Sequence, residues 1–163
     1  MRTPLMLFAA LAVSGFALGV HAQSNGDARG FVEDAIRGDN AEMMLGKLAA
    51  NRATDPKVRD FGRMLYEDHA RAREQAMAVA HEVGADAAER ADMGAERERD
   101  KLEETSGRPF DREFLRYMIL DHRNDIAKFS DEAQRGGPAG QLATNTLPDL
   151  KKHLSVAEQL SAE

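Results

Sequence analysis

The feature that most restricts this chain is a period. Four stretches place apolar or small residues three and four positions apart, and none alternates apolar with polar residues in the manner of a strand. Spacing of this kind covers one face of a helix, so an all-α fold is expected. The first helix should span about 31–51, with Phe31, Ala35, Gly38, Leu45, Leu48 and Ala49 on one face. Thr54-Asp55-Pro56 then breaks the chain and restarts it, because Asp or Thr caps a helix and proline suits its first turn. The second helix, about 56–83, carries Val58, Phe61, Leu65, Ala72, Ala76, Val79 and Val83 and stops at Gly84. The third, about 111–134, starts from Asp111 as N-cap and shows Leu115, Ile119, Ile126, Phe129 and Ala133. Gly136-Gly137-Pro138 ends it. The fourth, about 139–160, shows Leu142, Thr146, Leu150, Ala157 and Leu160, with Pro148 expected to kink it. A charged connection over 84–110 holds a short helix near 95–105. Two helical hairpins joined by a long crossover are the ferritin-like variant of the four-helix bundle.

The beginning of the chain reads differently. Met1 and Arg2 precede an uncharged apolar run from Leu5 to Val20, and Val20-His21-Ala22 offers a small-residue cleavage pattern. This is a signal peptide over 1–22, with cleavage expected after Ala22 and export to the periplasm or the medium. The run is too short for a membrane-spanning helix, so no transmembrane segment is expected in the mature chain. Residues 23–30 are polar and expected to be disordered, and the bundle domain should cover 31–161. Its length suits one soluble domain with its own core.

Each apolar stripe is interrupted once, and the interruptions carry the chemistry. Glu42 lies between Gly38 and Leu45, His69 between Leu65 and Ala72, His122 between Ile119 and Ile126, and His153 between Leu150 and Ala157. Each is three or four residues from its apolar neighbours and therefore faces the bundle axis. Each is also near the middle of its helix, so the four should meet at one level whichever way the helices run. Three imidazoles and a carboxylate suit one divalent transition metal (zinc, iron, copper or manganese) better than calcium or magnesium, which prefer oxygen. Asp68, Asp121 and Asp149 are placed to accept the outer imidazole N–H groups. A metal-free hydrogen-bonded network in a structural bundle that acts through a protein partner is the alternative. His81 falls off its stripe and should be exposed.

Other chemistries find little support. The chain has no Cys, which removes disulfides, thiolate metal sites and thiol nucleophiles together. Its formal net charge is −6 with no basic patch, unlike a nucleic-acid binder. There is no phosphate-cradling glycine loop and no dinucleotide fingerprint. The methionines, among them Met43, Met44, Met64, Met77 and Met118, share no spacing and read as core filler. The run Glu96-Arg97-Glu98-Arg99-Asp100-Lys101 mixes signs and should be a solvated helix.

At these residues the chain resembles the exported bacterial family called domain of unknown function 4142, whose members are often labelled outer-membrane proteins. The matching stretches are Phe31-Val32 through Gly38, Glu42 with Leu45-Gly46-Lys47-Leu48-Ala49, and Val58-Arg59-Asp60-Phe61-Gly62. They continue with Met64 through His69, Phe110 through Leu115, Asp121-His122, Thr146-Leu147-Pro148 and His153-Leu154. The resemblance implies a ferritin-like helical bundle in the bacterial envelope and no established activity. The Glu-x-x-His pairs of ferritin-like di-iron enzymes are missing, since Tyr66 precedes His69 by three and Ile119 precedes His122 by three.

Overall fold

The computed structural model describes residues 17–87 and 89–163, with side chains from residue 27 onward. The described residues form five helices: α1 (Ala17–Arg52), α2 (Pro56–Val83), α3 (Met93–Glu103), α4 (Arg108–Arg135) and α5 (Gly137–Ser161). Most of the expected signal peptide lies outside the described residues. The 23–30 stretch, expected to be disordered, is instead continuous with α1. Nothing there stops a helix: isolated glycines such as Gly26 and Gly30 each cost about 1 kcal/mol relative to alanine but leave the backbone bonds intact.

The helix ends follow from local chemistry. Asp55 caps α2 by accepting from the Lys57 backbone N–H, with Pro56 in the first turn. Asp92 caps α3 through the N–H groups of Gly94 and Ala95. Gly136 and Gly137 both have positive φ, 72° and 69°, which lets α4 reverse into α5 within one residue. Pro148 lies inside α5 and deletes one backbone donor without dividing the helix.

Asp111 has a different role from the expected cap of α4. That helix starts earlier, after Gly107, with no side-chain cap. The buried Asp111 carboxylate instead accepts from the backbone N–H groups of Thr54 (2.8 Å) and Asp55 (2.9 Å). It ties the start of α4 to the turn between α1 and α2.

α1 packs along α2 and α4 along α5, α2 joins the two hairpins through α5, and α3 lies against α1 and α4. The α1–α2 approach is closest at two glycines. A Cβ on Gly62 would stand 2.6 Å from the Gly46 carbonyl oxygen, and one on Gly46 would stand 2.7 Å from that of Gly62. The two backbones therefore touch.

The core is layered along the helices. One end is apolar and gathers Leu45, Phe61, Leu65, Leu102, Phe114 and Met118. Its rings pack edge to face, with Phe61 and Phe114 centroids 6.1 Å apart. The other end holds Val32, Ile36, Ala76 and Leu142 beside a Phe31–Phe129 pair 4.9 Å apart. Between them lies a buried polar layer containing Asp39, Glu42, His69, His122 and His153.

The charged run of α3 is not wholly solvated. Glu98 is buried, and burial together with the Glu113 carboxylate raises its pKa, while Lys101 and Arg116 lie alongside. Glu113, hydrogen-bonded by Arg116 and Lys101, is held down at about 2. No helix among the described residues is long and apolar enough to cross a membrane.

Candidate metal centre

All four residues that interrupt the stripes are buried: Glu42 is 2 % exposed, His69 4 %, and His122 and His153 1 % each. His81 is exposed, as its position off the stripe required. The three imidazoles come from α2, α4 and α5. Their ring centroids are 5.2 Å (His69–His153), 5.3 Å (His122–His153) and 5.9 Å (His69–His122) apart.

Each ring turns one nitrogen outward to an oxygen. His69 Nδ1 lies 2.8 Å from Asp39 Oδ1, His122 Nδ1 3.0 Å from the Met118 carbonyl oxygen, and His153 Nε2 2.9 Å from Asp68 Oδ2. The Met118 carbonyl can only accept, so His122 must carry its proton on Nδ1. Asp68 lies below its ordinary carboxylate value; burial works against this, but hydrogen bonds from His153 and Lys152 outweigh it. Being ionised, Asp68 accepts from His153 Nε2. The inward nitrogens, His122 Nε2 and His153 Nδ1, are then two lone pairs facing each other at 3.3 Å.

His69 completes the picture. Its Nδ1 is held by Asp39, whose carboxyl is pushed above its ordinary value by burial, and its Nε2 is buried and without a hydrogen-bond partner. Protonation of His122 or His153 would resolve the clash of their facing lone pairs, but the core opposes it. Burial, together with the neighbouring His69 and His153, lowers His122 to about 3. Burial also lowers His153, despite Asp68. The ligand nitrogens of His69, His122 and His153 all lie within 4.8 Å of one another. That arrangement suits a Lewis acid better than a proton.

The expected four-donor set divides here. Glu42 does not join the imidazole group; its carboxylate gathers instead with Asp121 and His122, with donor atoms again within 4.8 Å. Glu42 Oε1 is 3.9 Å from His122 Nδ1, the ring nitrogen that points away from the other imidazoles. Heptad spacing sets the height of a residue in a bundle but not which edge of a ring it meets. Burial first, and then the charge of Asp121, raise Glu42 well above its ordinary value.

The expected outer carboxylates are also redistributed. Asp68 does serve, but it holds His153 on α5 rather than its own neighbour His69. Asp121 lies beside Glu42. Asp149 is exposed, lining a cleft of about 460 Å³ with Asp68, His69 and His153. Its expected place on His153 belongs to Asp68, which reaches across from α2. Asp39, the partner of His69, was not singled out from sequence. The signal was present, since residue 39 is four after Ala35 and three before Glu42.

Fold and site together define an all-helical protein built from two helical hairpins around a buried cluster of imidazoles. The chain belongs to the family described as Domain of unknown function (DUF4142), whose profile matches residues 17–160. A crystal structure of a DUF305 fragment from Deinococcus radiodurans is similar, with a TM-score of 0.73 at 17 % identity, over 83 % of this chain and 95 % of that one. At that identity the likeness speaks for the helical fold alone. Nothing among the curated proteins matches the chain.

Proposed function

We propose that this chain is an exported envelope protein whose core binds one divalent transition metal through His69 Nε2, His122 Nε2 and His153 Nδ1. The observation that carries this reading is three imidazole donor nitrogens within 4.8 Å of one another, two of which, His122 Nε2 and His153 Nδ1, face each other at 3.3 Å with no proton between them. A three-nitrogen seat suits zinc or copper best, with iron and manganese as further candidates, and leaves a coordination position open. Asp39, Asp68 and the Met118 carbonyl act as the outer partners that orient each ring and sharpen its donor nitrogen. Metal binding or buffering is the role such a seat supports directly. The four long helices, with their long crossover, support a ferritin-like four-helix bundle as the carrier. The apolar start with its small-residue cleavage pattern supports export.

The experiment is metal uptake by the untagged protein after incubation with zinc, copper, iron or manganese, read by elemental analysis. Stoichiometric uptake that His122→Phe abolishes is expected. Absence of stoichiometric metal after all four incubations overturns the reading. N-terminal sequencing of exported protein should find Gln23 first, and an intact Met1 would remove the export claim.

A further inference from the structure

Glu42 is left over by the imidazole centre, and its surroundings make it costly as it stands. Both carboxylate oxygens are buried and lack a hydrogen-bond partner. The nearest positively chargeable group is the His122 ring, whose Nδ1 proton is already given to the Met118 carbonyl. Burial and the facing Asp121 carboxyl push Glu42 well above its ordinary value, so without a cation the core holds it as a neutral acid. Asp121 brings a second carboxylate to the same point, and Asp125 follows it by one turn on the same face of α4.

Asp121 and Asp125 line an acidic cleft, and Glu42 lies behind Asp121 in the core. A cavity of about 630 Å³ runs between α1 and α4 and is lined by Asp39, Asp121, Asp125 and His69. Among its lining residues carboxylates outnumber the cations Arg37, Lys128 and Arg135, and Lys128 lies 3.4 Å from Asp125. A cleft of one sign with low-dielectric walls raises the local concentration of the opposite charge. The field draws cations inward.

We propose that Glu42 and Asp121, with Asp125 on the cleft wall, form a second cation seat of oxygen donors on the Nδ1 side of the His122 ring, distinct from the three-nitrogen seat on its Nε2 side. Carboxylate donors select hard divalent ions, so manganese(II) is the cation we assign to it. The core then holds two seats of unlike chemistry separated by one imidazole. This goes beyond the imidazole centre and does not require it.

The test titrates the full chain with manganese(II), following the free ion by its electron paramagnetic resonance signal, with the nitrogen seat either empty or filled with zinc. Manganese(II) should bind in both cases. Glu42→Gln and Asp121→Asn should each weaken it by about tenfold or more, leaving zinc uptake intact, whereas His153→Ala should abolish zinc uptake and leave manganese(II) binding unchanged. Failure of manganese(II) to bind wild-type protein overturns the proposal, and so does its displacement by zinc. Equal losses in Glu42→Gln and His153→Ala would mean a single shared site and also overturn it. Should either carboxylate variant fold poorly by circular dichroism, the zinc-competition arm on wild-type protein decides alone. Absence of zinc uptake by the wild-type protein, with manganese(II) still bound, would overturn the nitrogen seat and leave this second seat standing.

Discussion

The apolar end of the core and the polar layer beside it share α1, α2, α4 and α5, with α3 added at the apolar end, and they obey opposite rules. Around Phe61, Phe110, Phe114 and Leu102 every large side chain is closed off, and even the buried carboxylate of Asp111 finds two backbone donors. One or two turns further along each helix, the Glu42 carboxyl and His69 Nε2 have no hydrogen-bond partner. The difference separates two uses of a core: the first region is closed by its own side chains, and the second leaves buried donor atoms for which a bound cation is the partner we propose. Buried polar atoms ordinarily find partners; of the five described side-chain atoms that lack one, three belong to Glu42 and His69, the others being Arg37 Nη1 and Glu98 Oε1.

Substitutions in the two regions should therefore have opposite signs. Phe114→Ala at the apolar end should lower unfolding free energy by about 3–5 kcal/mol in chemical denaturation, through lost burial and a cavity. Zinc uptake by the molecules that still fold should be unchanged. Glu42→Met, which replaces a buried carboxyl group held neutral beside Asp121 with an apolar side chain of similar length, should raise the stability of the metal-free protein by about 1 kcal/mol. A loss comparable with that of Phe114→Ala would break the distinction.

Effects smaller than that of Phe114→Ala sharpen the contrast. Asp111→Ala should cost about 2 kcal/mol, because two charge-assisted bonds to the α1–α2 turn disappear together. Asp39→Asn should hardly move the melting temperature but should weaken zinc binding about tenfold, since a neutral amide oxygen orients and polarises the His69 ring less than the carboxylate does. The effect smallest at neutral pH is one that grows with acid. His122 is lowered to about 3 in the fold against 6.5 as a free side chain. The stability that depends on its neutral form is complete above about pH 6.5 and is lost as the pH falls toward about 3. The stability of metal-free His122→Phe relative to wild type should thus increase over that window. Comparing the two chains cancels the opposite contribution of acids such as Asp125, raised to about 6 by burial and by Asp121.

Much of this was legible in sequence where one residue type has one physical meaning. Pro56 and Gly84 bound α2 as expected, and Gly136-Gly137 separate α4 from α5. The stripe interruptions at Glu42, His69, His122 and His153 all proved to be buried, because helical periodicity reports which way a side chain faces. What periodicity cannot supply is the pairing across helices. Asp68 and His69 are neighbours in sequence, yet successive residues on a helix point about 100° apart. Asp68 therefore turns to α5 while His69 finds Asp39 on α1. Glu98 was hidden for the related reason that a charged run looks solvated until another helix covers one of its faces. A stripe on α1 through Gly38 passes beside Asp39, whose own spacing from Ala35 and Glu42 is equally helical.

The contact between Gly46 and Gly62 bears on the centre although it contains no donor atom. Gly46 is one helical turn from Glu42, and Gly62 is two turns from His69. Backbones locked this tightly cannot slide past each other by even a residue's rise of about 1.5 Å without collision. The pair works as a gauge block, fixing the longitudinal offset between the helix that carries Asp39 and the helix that carries His69. A single methyl group at either glycine would detune that offset, so the tolerance of the donor atoms is set outside the site itself.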